Sequence, residues 1–417
     1  MTTNQAYLST LFEIMRYISV LLFILILFAP ILDRIVPAFS YFDEMVAIMA
    51  LMFLFLNTFK FNGKKYRYEK RSFFCIVLVL IIGIISSCHF RIQTNFSGIW
   101  RDFLSILKFP VIYYGFSIAS SSLNLEKINN GIQSFLKVFS TICLICGLIN
   151  LVHPISFFTN DYRYGLPSYK FIYPHVTFFV ASIVLITMVL YANGAKKNVV
   201  FIFMNLISLL LSLRSKPIAI IIFVLFTFYL KKLRRISRYR LIVYVLVGLL
   251  MVLYLTQGQF SNYIGYGLTS VRGALHVYGL DVAKEFFPLG SGFCTFGSSL
   301  AYMYDSNLYD WYGIWNLQGM DDGRYAADTF WPIIYAQFGV LGFICYVWML
   351  IYVFKAISNK YVVLSDKWIA SIGLLIYALA ASCAESFFTN VTGALYPIVL
   401  TLYLGSPRKY SHNLYEN

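Results

Sequence analysis

Arg214, Lys216, Arg272 and Asp328 are the residues of this chain whose types and surroundings point to chemistry. Arg214 and Lys216 lie in Arg214-Ser215-Lys216-Pro217, between two short apolar runs, 198–213 and 217–230. Each run falls below the roughly 20 residues a helix needs to cross hydrocarbon. The hairpin therefore carries two cations and Ser215 at its tip, at or below a membrane surface. Long cationic side chains can snorkel to lipid headgroups. Two cations within three residues, on the face that ordinarily lacks positive charge, favour an anion site instead. Arg272 follows Thr269-Ser270-Val271, which predicts a helix start capped by Thr269 or Ser270 and running through Asp281, Val282 and Lys284 to Phe287. A guanidinium there can grip phosphate oxygens with two parallel hydrogen bonds. Asp328 stands just before an apolar run that opens at Phe330. It reads equally as a helix N-cap and as a partly desolvated carboxylate that takes a proton from a hydroxyl.

Other groups are placed around these four. His276 is one helical turn from Arg272 and can share its face. Gly290 and Gly292, in Leu289-Gly290-Ser291-Gly292-Phe293, permit a tight turn and a close backbone approach to bound substrate. That pattern is too short for a dinucleotide fingerprint and no βαβ unit surrounds it. Arg324 adds a cation beside Asp321 and Asp322, which read as a solvated turn. Glu385-Ser386 falls where it can face the same cavity. His89, His153 and His175 sit near predicted membrane boundaries without metal-ligand spacing. Cys143 and Cys146 form a C-x-x-C inside an apolar run, where Cys behaves as a small hydrophobe.

The elements that must position these residues are membrane helices. Mean hydropathy is +0.72. Only 12% of the 417 residues are charged, against roughly 25% in soluble domains. The apolar runs are continuous and near 20 residues, which argues for helices and against a barrel of alternating strands. The first run lacks a small-residue cleavage site and is expected to remain a span. Twelve spans are expected: 16–33, 41–58, 73–90, 99–121 (with Pro110 as a kink), 131–152, 174–193, 198–213, 217–230, 241–255, 330–356, 367–384 and 391–405. The formal net charge of +15 is concentrated in short loops, above all 59–72 and 231–240. That is a topology signal, and no nucleic-acid partner is expected. With both termini inside, the loops 59–72, 194–199, 231–240 and 354–367 fall on the cytoplasmic side. The long segment Gln257–Thr329, between the ninth and tenth spans, falls outside and is acidic. The fold class is thus an all-α polytopic membrane protein, one integral membrane domain over 1–417. Its one large extracytoplasmic loop contains short helices.

Three stretches resemble one family. Ser212-Leu213-Arg214-Ser215-Lys216-Pro217 is similar to the Ser-Arg-Ser/Gly element of bacterial O-antigen polymerases and O-antigen ligases. Arg272 followed by Gly290-Ser291-Gly292-Phe293-Cys294-Thr295-Phe296 resembles their outer-loop arginine and Gly-x-Gly-x-x-Phe turn. Asp328-Thr329-Phe330-Trp331-Pro332 through Gly339 and Gly342 resembles the entry into the next helix. The match spans roughly residues 210–342 in order and spacing.

The resemblance implies a metal-independent, cofactor-free glycosyltransferase of the integral-membrane, GT-C-like type in a bacterial inner membrane. It implies a donor glycan on undecaprenyl diphosphate, presented at the periplasmic face. Arg214 and Arg272, with Lys216, would bind the diphosphate, and Asp328 would deprotonate the acceptor hydroxyl. Ligases carry a His at the position matching Asp328, so the resemblance favours the polymerase branch, in which the acceptor is a second lipid-linked repeat unit. A chain-length regulator protein is an expected partner. The competing expectations are the ligase reaction onto lipid A core and a lipid or polysaccharide transporter. No internal repeat of the transporter kind is found.

Overall fold

The computed structural model describes residues 3–57, 66–120, 125–232, 267–320, 323 and 325–404. The described chain is mostly helical. In order, the helices are α1 (Thr3–Ile35), α2 (Phe42–Leu56), α3 (Arg67–Phe90), α4 (Phe96–Ala119), α5 (Leu125–Val152), α6 (Val176–Ala192), α7 (Val199–Leu211), α8 (Lys216–Lys232), α9 (Val271–Glu285), α10 (Ser299–Met303), α11 (Asn307–Trp311), α12 (Trp331–Lys360), α13 (Asp366–Ser382) and α14 (Val391–Ile398), the last continued by a π-helical turn to Tyr403. Helix coincides with each expected span except the ninth, 241–255, which lies outside the described residues.

Among the described residues, five segments are long and apolar enough to cross a membrane: Pro37–Leu56, Arg67–Phe90, Phe96–Ala119, Ile132–Val152 and Trp331–Lys360. The apolar helices Val176–Ala192, Val199–Leu211 and Val391–Tyr403 are shorter. At 1.5 Å per residue they stop short of a full ~30 Å hydrocarbon layer.

Several boundaries differ from the sequence reading for physical reasons. Arg67, Lys70 and Arg71 were expected in a loop but form the first turns of α3. Their long stems are compatible with helix, and their charges still leave the apolar stretch at its end. Lys216, not Pro217, is the first residue of α8. The segment 153–173, which joins the expected spans 131–152 and 174–193 and reads in the sequence as an extracytoplasmic loop, is not plain loop. Strands β1 (Thr159–Arg163) and β2 (Leu166–Tyr169) form an antiparallel hairpin. Its two connecting residues, Tyr164 and Gly165, both have positive φ, the geometry whose twist matches paired strands.

Two charged groups inside the bundle have specific partners. Lys108 of α4 bonds Asp43 at 2.7 Å and also Glu44, both in the first turn of α2. Asp102 of α4 is buried and accepts a hydrogen bond from the Cys294 amide at 2.7 Å.

The segment 267–329 has a small core of its own. Val271, Leu275, Val282, Phe286, Phe296, Leu308, Tyr309, Ile314 and Met320 pack together and against Ala336 of α12, with Phe90 of α3 at the edge. Burying these side chains lets a stretch too polar for lipid fold as a cap on the bundle.

The cap is fastened to a break in α12. Gly339 has φ 61 and ψ −167, interrupting the helix. A break frees backbone carbonyls that a regular helix would occupy. Here Ser291 N–H donates to Ala336 O and Gly292 N–H to Gln337 O, each at 2.9 Å. From the other side, Ser87 Oγ accepts from Phe293 N–H at 2.9 Å, and Ser86 Oγ donates to Gly290 O.

Candidate functional site

The end of the bundle that carries the cap gathers several helix ends: the last turns of α3, α7 and α13 and the first turns of α6, α8 and α12. Three guanidinium or ammonium groups are held there by carboxylates from distant parts of the chain.

The first is Arg272. Of the two caps the sequence allows, Ser270 caps α9 by accepting from Gly273 N–H at 3.1 Å, and this puts Arg272 in the first turn. A cation at a helix N-terminus meets the positive end of the helix dipole, so it needs a negative partner. Asp328 supplies it. Arg272 Nε donates to Asp328 Oδ2 at 2.9 Å, and Nη2 donates to the same oxygen. The Tyr325 ring lies 5.8 Å from the guanidinium carbon. Asp328 is therefore not the N-cap of α12; that position is Phe330, without a side-chain cap bond.

The second and third are on the hairpin tip between α7 and α8. Arg214 Nη2 donates to Asp161 of β1 at 3.1 and 3.2 Å, and Arg163 also bonds Asp161, at 3.0 Å. Ser168 of β2 donates to Ser212 O at 2.8 Å, so the β-hairpin clamps the tip. Leu213, just before Arg214, is held at φ 50, a strained conformation for a bulky residue. Ser215 closes the turn through its carbonyl, which accepts from Ile218 N–H at 3.0 Å. Lys216 pairs with Glu385 and donates to Ala384 O, both at 3.4 Å. Arg214 and Lys216 side chains are only 16% and 17% exposed. They are fixed within the protein, not reaching for headgroups.

One segment joins the two sets. Residues 382–386, which close α13 and follow it, contact Lys216 through Ala384 and Glu385. The same segment bonds the end of the cap: Ser386 N–H donates to Ala327 O at 3.2 Å, and Phe330 N–H to Ser382 O at 3.4 Å. Asp328 thus sits between two backbone ties to the segment that holds Lys216. Glu385, placed on topology alone, does face this cluster.

His175 is the residue that sequence reasoning passed over. It caps α6 from outside the helix, its Nδ1 accepting from Thr177 N–H at 3.3 Å. One edge is exposed, but surrounding protein disfavours its charged form, and Arg214 and Lys216 add to that. Asp161 and Asp328 oppose it, and the outcome is a value lowered from 6.5 to about 4. The sequence signal of His175 was slight: a histidine at a predicted span boundary, with no partner near in sequence.

A pH prediction follows from this shift. Between about pH 4 and 6.5 the unfolded chain binds a proton that folded His175 does not, so stability rises with pH through this window and falls on acidification. His276, lowered by burial, acts in the same direction. Thermal melts of His175→Gln from pH 4.5 to 7 should show a shallower slope than the unsubstituted protein. An unchanged slope would place the titration elsewhere.

The other expected site residues separate. His276 turns away to α12: its Nδ1 lies 3.2 Å from Tyr335 Oη, which also donates to His276 O at 3.1 Å. Gly290 and Gly292 are buried and packed against Gln337, Gly339 and Ser87. Their role here is backbone docking of the cap, not the substrate contact expected of them. Arg324 lies outside the described residues. Among the described residues no group of three or more His, Cys, Asp or Glu is arranged to hold a metal ion.

The arrangement suits an anion. A helix N-terminus with an arginine in its first turn, and a clamped Arg–Ser–Lys tip nearby, offer fixed positive charge at the edge of an apolar bundle. The carboxylates now paired with them are the groups an incoming phosphate would compete with. Compared with protein-family models and with curated proteins, the chain matches none.

Proposed function

We propose that this protein is an integral-membrane glycosyltransferase that polymerises undecaprenyl-diphosphate-linked oligosaccharide repeat units, as in O-antigen synthesis. The reading takes the chain as a twelve-span protein of a bacterial inner membrane, with both termini cytoplasmic and the loop 257–329 in the periplasm. The observation that carries it is the joining of the Arg272–Asp328 pair to the Arg214 and Lys216 pairs through residues 382–386.

In the proposed reaction the diphosphate of the donor takes over the guanidinium of Arg272 and the cations of the hairpin tip. Asp328 is then released from its pair beside the acceptor hydroxyl. The hydroxyl oxygen attacks the anomeric carbon of the donor glycan, and its proton passes to the Asp328 carboxylate. The bond from the anomeric carbon to the diphosphate oxygen breaks, and undecaprenyl diphosphate leaves with its charge held by Arg214, Arg272 and Lys216. Preorganised cations aimed at a leaving group supply transition-state stabilisation without solvent reorganisation. The short α7–α8 hairpin sets that charge near the lipid surface, where the prenyl chain keeps its carrier.

Purified protein should convert lipid-linked repeat units into a ladder of longer lipid-linked glycans. Transfer only to lipid A core would identify the ligase reaction. Movement of lipid-linked glycan between leaflets of a vesicle without chain growth would identify a transporter. Either result overturns the proposal.

A further inference from the structure

We propose that the groove between α3 and α12, at the end remote from the cap, is a binding site for an anionic glycerophospholipid. The groove has a volume of about 730 Å³ and is lined by Arg67, Lys70, Arg71, Phe74, Leu78 and Trp348, among others. The cations lie at one end. Arg67, Lys70 and Arg71 are at positions i, i+3 and i+4 of a helix and so share one face. Arg71 stands 5.9 Å from the Tyr352 ring, and Lys355 stands 5.5 Å from the same ring. The rest of the groove is apolar. Phe74 is 62% and Trp348 46% exposed, facing outward on two helices long enough to cross hydrocarbon.

Its depth is set by the helix. Ser86 and Ser87 of α3 hold the cap turn. Arg67 and Arg71 are nineteen and fifteen residues before Ser86 on the same helix, about 28 and 22 Å away at 1.5 Å per residue, so Arg67 approaches the full ~30 Å of a hydrocarbon layer. The cations therefore lie at the headgroup level of the leaflet opposite the cap, and the apolar floor runs from there into the hydrocarbon. A phosphate over Arg67, Lys70 and Arg71 with an acyl chain along Phe74, Leu78 and Trp348 matches charge to charge and apolar surface to apolar surface. Basic residues at span ends also guide insertion, but that role requires no groove. Pockets of this kind between membrane helices take lipid phosphates, and each basic residue contributes appreciably.

The α3–α12 pair that forms the groove also fastens the cap: Ser72 Oγ donates to Met349 O at 3.0 Å within the pair. A lipid seated there would brace both helices.

The test is native mass spectrometry of the full-length protein in detergent. The probes are palmitoyl-oleoyl phosphatidylglycerol and palmitoyl-oleoyl phosphatidylcholine, which share their chains. The protein should retain one phosphatidylglycerol about tenfold better than phosphatidylcholine. Arg71→Gln should reduce that preference about fivefold. Leu78→Trp, which fills the groove, should reduce retention of both lipids while leaving the thermal melt in lipid-free detergent unchanged. Inorganic phosphate should not displace the lipid. Equal retention of the two probes overturns the site. So does a phosphatidylglycerol preference unaffected by both variants, or displacement of phosphatidylglycerol by undecaprenyl phosphate.

Discussion

Arg272→Ala should lower the rate of glycan extension by about two to three orders of magnitude, the usual cost of deleting one preorganised group that stabilises developing negative charge. The variant should remain in the membrane, because Arg272 and Asp328 are partly exposed, at 29% and 26%, and neither belongs to the cap core. Arg272→Lys keeps the charge but not the planar fork, so it should recover only part of the loss. Asp328→Asn separates the two roles of the pair. It leaves Arg272 able to bind phosphate, so carrier affinity should hold or rise while turnover falls. Arg272→Ala should reduce both. Steady-state kinetics on purified lipid-linked repeat units, with carrier binding measured separately, would decide. Extension at the normal rate by Arg272→Ala would remove this residue from the mechanism.

Gly290→Ala should be strongly damaging to the fold. Gly290 has φ +79, and a Cβ there would lie 2.6 Å from the carbonyl carbon and oxygen of Gln337 and against the Gly339 amide. These are backbone atoms and cannot swing aside. Left-handed strain and overpacking together should cost about 3–5 kcal/mol. Gly339→Ala meets the same interface from the other side, 2.7 Å from the Leu289 carbonyl carbon, and should behave alike. Gly165→Ala is the control. Its φ is +77 but nothing lies within 4 Å of the added carbon, so only the conformational term of about 1–2 kcal/mol applies. Thermal melts together with limited proteolysis of the cap would distinguish them. Early cleavage within 267–329 is expected for Gly290→Ala and Gly339→Ala but not for Gly165→Ala. The loss should extend to activity, because α9 reaches Arg272 from this turn. Equal behaviour of Gly290→Ala and Gly165→Ala would mean that the cap does not depend on the docked turn.

A cap at Thr269 or Ser270, Arg272 in the first turn after it and the Arg214–Lys216 tip between two short helices were all legible in the sequence. They are local. Capping, apolar run length and the exclusion of charge from hydrocarbon act over a few residues or one helix, and composition records them. The helical membrane class follows from the same arithmetic.

Partnership was not legible. Arg214 with Asp161, Arg272 with Asp328 and Lys216 with Glu385 are pairs separated by 53, 56 and 169 positions. No spacing rule connects such residues. The sequence left Asp328 undecided between cap and base, because either suits a carboxylate ahead of a helix. The start of α12 at Trp331 and the bond to Arg272 removed the cap. Gly290 and Gly292 announced a close backbone approach, which the sequence reading assigned to substrate. The break at Gly339 supplied the partner, since a helix interrupted at one residue exposes carbonyls that only a neighbouring backbone at contact distance can use. The β-hairpin escaped notice because its strands are five and four residues long and its alternation is too brief to stand out. His175 escaped for a related reason: its charged form is disfavoured first by burial and then by Arg214 and Lys216, which lie about forty positions onward, and both effects arise only when α6, α7 and α8 assemble. Sequence determined which segments are helices and where fixed charge must sit. Tertiary structure alone decided which charges meet, because that depends on helix packing, and packing is set by side-chain contacts that no single segment contains.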